Sequence, residues 1–156
     1  MPRYAADTTI PVDRSRAEIE HLLTRHGATA FGYLSDGDAH VIVFQLDNRR
    51  VLMHLPLPDR DDEEFTLTPG RRLRRSPAEA RRAYEQAVRS RWRALVLVIK
   101  AKLEAVAAGI STVEREFLAD IALPNGQTVE QFLAPQLEQI YAAGEMPALL
   151  PRRGDG

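Results

Sequence analysis

Eight basic side chains have the one spacing in this sequence that suggests a chemistry. Arg71, Arg72, Arg74 and Arg75 crowd together, and Arg82, Arg89, Arg93 and Lys100 follow at intervals of seven, four and seven, which return to one face of a helix. Such a row of cations contacts successive phosphates of a nucleic acid, an attraction driven by released counterions and indifferent to base sequence. Residues 71–102 hold eleven Arg or Lys against Glu79 and Glu85, an excess of eleven less two, nine, in a chain of net charge −1. The acids lie elsewhere: Asp59, Asp61, Asp62, Glu63 and Glu64 precede the cluster, and from residue 103 onward eight acids face three bases. Those acids open the opposite reading, in which the arginines are neutralised within the fold or across a dimer and lay their stems over apolar neighbours. Tyr84 and Trp92 would stack on bases if exposed. Trp92, however, falls in an apolar stripe and is expected in the core.

Other chemistries fail on spacing. Cysteine is absent, which excludes disulfides, thiolate metal sites and thiol nucleophiles. His21 and His26 fall on different helix faces, and His40 and His54 fall on neighbouring strands out of register, so no metal site is expected. Thr68-Pro69-Gly70-Arg71-Arg72 has a single glycine and no phosphate-loop lysine. Ser90 and Ser111 have no adjacent base or nucleophile-elbow glycines, and the consecutive acids at 61–64 lack calcium-loop alternation. No catalytic residue and no cofactor is expected, although an enzyme whose site assembles from scattered residues would escape this test.

The element that must position the cations is a helix from Ser76 to Gly109. Ser76-Pro77-Ala78-Glu79 is a capping box with proline at the first helical position, and Gly109 is a left-handed stop. Tyr84, Val88, Trp92, Leu95, Ile99, Leu103 and Val106 recur every three or four residues as one apolar stripe. Arg82, Arg89, Arg93 and Lys100 lie roughly 100 degrees round from it, with Arg91 and Lys102 on its other side. At about 1.5 Å per residue this helix spans about 45 Å, more than a small sheet, so its far end must pack on the C-terminal helices or on a second copy.

Before it, Thr8–Val12 reads as a short strand or extended entry. Ser15-Arg16-Ala17-Glu18 reads as a capping box for a helix carrying Ile19, Leu22 and Leu23 and stopped by Gly27. Strands follow at 29–34, 40–46 and 51–57, joined by turns at Ser35-Asp36-Gly37-Asp38 and Asp47-Asn48-Arg49-Arg50, and ended near a sheet edge by Pro56 and Pro58. Residues 59–75 lack apolar periodicity beyond Phe65 and Leu67 and are expected as an exposed, mobile, charged loop. After the long helix, Ser111-Thr112-Val113-Glu114 reads as a third capping box, Pro124-Asn125-Gly126 as a break, and Thr128-Val129-Glu130-Gln131 as the cap of a last helix interrupted by Pro135 and stopped by Gly144. The expected architecture is α+β in one domain of 156 residues: an α/β half over 8–58, the charged loop, a helical half over 76–146 and a loose tail over 147–156. The N-terminus lacks the apolar core of a signal peptide and no apolar run approaches a membrane span, so a cytoplasmic location is expected.

The segments Ile10–Glu20, Leu55-Pro56-Leu57-Pro58, Arg91–Glu104, Phe117-Leu118-Ala119 and Leu123-Pro124-Asn125-Gly126 resemble a family of small proteins of unassigned activity encoded in bacteriophages and prophages. The resemblance extends over nearly the whole chain and carries no catalytic residue. It implies a bacterial host cell as the setting and, for a protein of this size, a role in handling DNA or in binding a host or phage protein. Two functions are therefore expected: binding of nucleic acid through Arg71, Arg72, Arg74, Arg75, Arg82, Arg89, Arg93 and Lys100, or protein interaction, including a homodimer through residues 84–106.

Overall fold

The computed structural model describes residues 4–36 and 39–146. Helix α1 (Val12–Arg25) leads into an antiparallel meander of β1 (Ala30–Asp36), β2 (Ala39–Leu46) and β3 (Arg49–Pro56), with the strands in sequence order. A one-turn helix α2 (Glu63–Thr66) precedes the long α3 (Pro77–Ala107), followed by α4 (Val113–Phe117), a 3-10 turn at Leu118–Asp120, and α5 (Val129–Ala143). The class is α+β, with the strands grouped in the N-terminal half.

The meander's register is set at Asp47-Asn48, where both residues take positive φ (50° and 59°) in a two-residue turn and Leu46 pairs Arg49. Ile42, Phe44, Leu46, Val51, Met53 and Leu55 then point to one face, and all are buried. Onto that face the α3 stripe closes: Trp92, Leu95, Val96, Ile99 and Leu103 join Ile19, Leu22 and Leu23 of α1 in a single core. At 31 residues α3 is about 46 Å long. Its ends find separate partners, Tyr84 meeting Phe65 of α2 edge to face at 5.6 Å and the C-terminal end meeting Phe117 of α4. The Ser76–Glu79 capping box opens α3 as expected, and Gly109 at φ 72° turns the chain out of it with Ile110 N–H on the Ala105 carbonyl.

Of the two forms expected for the entry segment the extended one is found, and three further details differ from expectation. Thr8–Pro11 is an extended entry without strand pairing, tied down when the Gln86 amide donates to the Ala6 and Thr8 carbonyls at 2.9 and 2.8 Å. Helix α1 begins at Val12, so Ser15 is no cap: a full turn of proline-compatible helix fits ahead of it, and its side chain turns into the core, fully buried, with its hydroxyl unpartnered. The cap of α4 is Thr112, whose hydroxyl accepts from Arg115 N–H, rather than Ser111. Residues 59–75, expected without regular structure, contain α2 and a bridge between Leu67 and Arg74, because Phe65 is buried against Tyr84 and anchors the segment. Gly37, Asp38 and the expected tail at 147–156 lie outside the described residues.

One further element was not foreseen. Residues 121–128 turn back on themselves along the free edge of β3: Ile121 pairs Val51, Ala122 N–H donates to the Arg50 carbonyl at 2.8 Å, and Ala122 pairs Thr128. The edge is thereby partly covered, which limits strand addition there.

Replacing a buried, unpartnered hydroxyl by hydrogen removes a desolvation penalty and improves helix propensity. Ser15→Ala is expected to raise the unfolding free energy by about 1 kcal/mol, measured as a higher urea midpoint at unchanged slope; a lower midpoint would mean that the hydroxyl has a partner in solution.

Candidate functional site

The expected cation row does not survive as one surface. Arg93 donates to the Glu18 carboxylate of α1 at 2.6 Å and retains 13% of its side-chain exposure, so it joins α1 to α3. Arg89 grips the Gln86 side-chain oxygen through Nε at 3.2 Å and an η nitrogen at 2.6 Å, which orients the amide that holds the N-terminal segment. Arg75 donates to the Glu64 and Phe65 carbonyls at 3.4 and 3.3 Å and so closes the end of α2. Arg72 pairs with Glu63. Outside the eight, Arg91 donates to the Pro56 carbonyl at 3.2 Å, and Lys102 reaches the Glu116 carbonyl and lies 5.4 Å from the Phe117 ring centre.

Exposed cations remain. Arg71 and Arg74 on the turn before α3, and Arg81 and Arg82 on its first turns, face solvent at one end of the molecule, and Lys100 is exposed about two turns beyond Arg93. The acidic stretch adjoins this group, with Glu63 and Glu64 lining a cleft of about 580 Å³ together with Arg72 and Arg75. Trp92 is 1% exposed and Tyr84 7%, so neither ring offers a face to a base.

Trp92 belongs instead to a cluster that sequence spacing did not reveal. The Tyr33 hydroxyl bonds Nδ1 of His40 across β1 and β2, the two rings stack at 5.6 Å, Trp92 lies 5.4 Å from Tyr33, and the Arg16 guanidinium sits 3.7 Å above the Tyr33 ring centre. One polar-aromatic stack thus ties α1, the sheet and α3 together. Among the described residues no three His, Asp or Glu side chains gather as a metal would need. No described helix is long and apolar enough to cross a membrane.

The conspicuous surface is α5. Its capping box at Thr128–Gln131 and its left-handed stop at Gly144 form as expected, and the helix runs through Pro135. None of its 15 residues is buried. Phe132, Leu133 and Leu137 are 48, 39 and 49% exposed, and Tyr141 is 85% exposed. Together with Ile140 they form an apolar stripe, whose Val129, Leu133 and Leu137 line a cleft of about 490 Å³ beside Leu118 and Ala119.

The chain matches no family model, no curated protein and no solved structure. The arrangement of its own residues therefore carries the functional reading.

The pairing of Arg93 with Glu18 has a pH signature. The hydrogen bond from Arg93 holds the Glu18 carboxyl below its ordinary value of 4.5, with burial opposing and the charges of Arg93, Lys100 and Arg14 adding. A lowered carboxylate contributes stability that is fully present above its unfolded value and is lost as the pH falls through its folded one. Glu18 is 39% exposed, so the charge-assisted bond is discounted for solvent screening. Glu18→Gln is expected to cost about 1 kcal/mol at pH 7 and less at pH 3, as protonation of Glu18 removes the ion pair. Urea unfolding at the two pH values measures the gap; an equal gap at both would assign it to packing rather than to the ion pair.

Proposed function

We propose that this protein is a protein-interaction module and that α5 is its docking element. The observation that carries this reading is a helix of 15 residues with an apolar stripe and no buried residue. Isolated helices of this length are marginal in water, and most helical stability in proteins comes from packing an amphipathic face. An internal proline removes a further hydrogen bond. Covering Phe132, Leu133 and Leu137 would recover on the order of 1 kcal/mol or more for each side chain. On the resemblance to phage-encoded proteins, the partner is a second copy or a phage or host protein, met in the cytoplasm of a bacterial cell. Association through residues 84–106 would have to use the outward side of α3, where Leu97 and Val98 are 42 and 43% exposed, because the main stripe is consumed in the chain's own core.

Nucleic-acid binding is the second reading, favoured by the exposed Arg71, Arg74, Arg81 and Arg82 at one end of α3. Four cations support a few phosphate contacts, fewer than the eight-residue row expected from spacing.

The two readings separate experimentally. Leu133→Glu with Leu137→Glu is expected to leave the urea midpoint of the core within about 0.5 kcal/mol of the parent, since both positions are exposed. The same pair should abolish retention of any partner, whether a second copy or another chain, on immobilised protein. Equal retention by parent and variant would remove α5 from the interaction. For the second reading, binding to labelled DNA at 50 mM salt should fall at least tenfold at 200 mM and be lost when Arg71, Arg74, Arg81 and Arg82 are all changed to Ala; no binding at the lower salt would dismiss it.

A further inference from the structure

The second bare surface is the outer face of the sheet. An antiparallel sheet with one face in water alternates apolar inward with polar outward. Here the outward positions opposite the buried Ile42, Phe44 and Met53 are Val41, Val43 and Leu52, with Leu34 beside them 61% exposed. Gly32, paired with Val43, adds no side chain, and the 122–126 turn rises along the β3 edge with Leu123 facing inward. The result is an apolar trough of about 840 Å³. Both α1 and α3 lie on the other face, so among the described residues this trough has no helix over it.

Helix α5 fits the trough in length and in charge. Fifteen residues make a helix of about 22 Å, and strands of seven or eight residues run about 25 Å. The charges on each surface are unevenly placed. Glu130 and Glu138 share a flank of α5, Glu145 follows just beyond it, and no Arg or Lys occurs between Glu116 and Met146. On the sheet, the outward cation of the strand beside the turn is Arg50, while outward positions 30, 32 and 34 on the opposite edge carry no charge and position 36 there is an aspartate. An α5 lying along the strands with its acidic flank over β3 pairs these charges and puts Phe132, Leu133 and Leu137 on Val43, Leu52 and Leu34. The chain's own α5 packs against the Leu118–Asp120 turn rather than on the sheet.

We infer that α5 of one copy seats on the outer sheet face of a second copy, and that the two copies exchange these helices in a closed symmetric dimer. The inference rests on α5 being the docking element proposed above. Reciprocal exchange means that each copy gives one helix and receives one, so the contact is made twice and the α5 stripe and outer sheet face of both copies are covered. Doubling it also brings the number of residues per side toward the roughly 20 to 30 that stable interfaces use.

The absence of cysteine gives a clean test. Leu133→Cys and Val43→Cys proteins, one carrying a mass tag, are purified separately, mixed and mildly oxidised; Leu34→Cys serves as a second acceptor should Val43→Cys fold poorly. A covalent species of mixed mass, present in the mixture and absent from either protein alone, is expected, together with dimer mass in sedimentation. Dimer mass without the mixed crosslink at either acceptor would overturn the sheet seat, while α5-dependent partner retention would still uphold the interaction role. A monomer at all concentrations would overturn the exchange, as would a chain carrying both Leu133→Cys and Val43→Cys that closes a disulfide within itself at monomer mass. Loss of the crosslink together with α5-independent retention would remove both readings.

Discussion

Closure of the α3 stripe on the inner face of the meander is the constraint from which the other arrangements follow. A three-stranded sheet cannot bury its own apolar face, and α1 alone is too short to cover it. Trp92, Val96, Ile99 and Leu103 at 1% exposure or less are the centre of that contact, and Phe44 and Val51 are their counterparts in the sheet. Once α3 is fixed by this contact, the positions flanking its stripe come within reach of neighbouring elements. Arg89, Arg91, Arg93 and Lys102 therefore spend their donors on Gln86, the Pro56 carbonyl, Glu18 and the Glu116 carbonyl. These four cations beside the stripe fasten its edges, while Arg82 and Lys100 on the same flank stay exposed.

This explains which parts of the fold were legible in the sequence. Ser76–Glu79, Thr128–Gln131, Gly109 and Gly144 each announce a helix end through local backbone chemistry, and each forms where its pattern stands. Alternation over 40–57 gave the strands and their buried face, and three- and four-residue spacing gave the α3 core from Tyr84 to Leu103. What failed depended on context. Ser15 carries a capping pattern, but Pro11 starts the helix earlier, and whether a serine caps or is buried is decided by what packs around it. Phe65 ordered a segment that composition alone made irregular, because a single aromatic finding Tyr84 is a tertiary event.

The candidate site was the least legible part for the same reason. Counting arginines gives an expected electrostatic field but not the acceptors each guanidinium meets, and Glu18, Gln86 and Pro56 lie 75, 3 and 35 residues from the arginines that bind them. The apolar stripe of α5 was visible as Phe132, Leu133, Leu137, Ile140 and Tyr141. That it would stay uncovered was not visible, because periodicity marks a face without saying whether the same chain supplies its lid.

The clamp of Gln86 on Ala6 and Thr8 spans 80 and 78 residues of sequence. During synthesis the N-terminal half, α1 and the meander, leaves the ribosome well before α3, so its apolar face and its first residues wait for a cover that does not yet exist. Completion of this fold is consequently a late event, because the cover for the N-terminal half is made last.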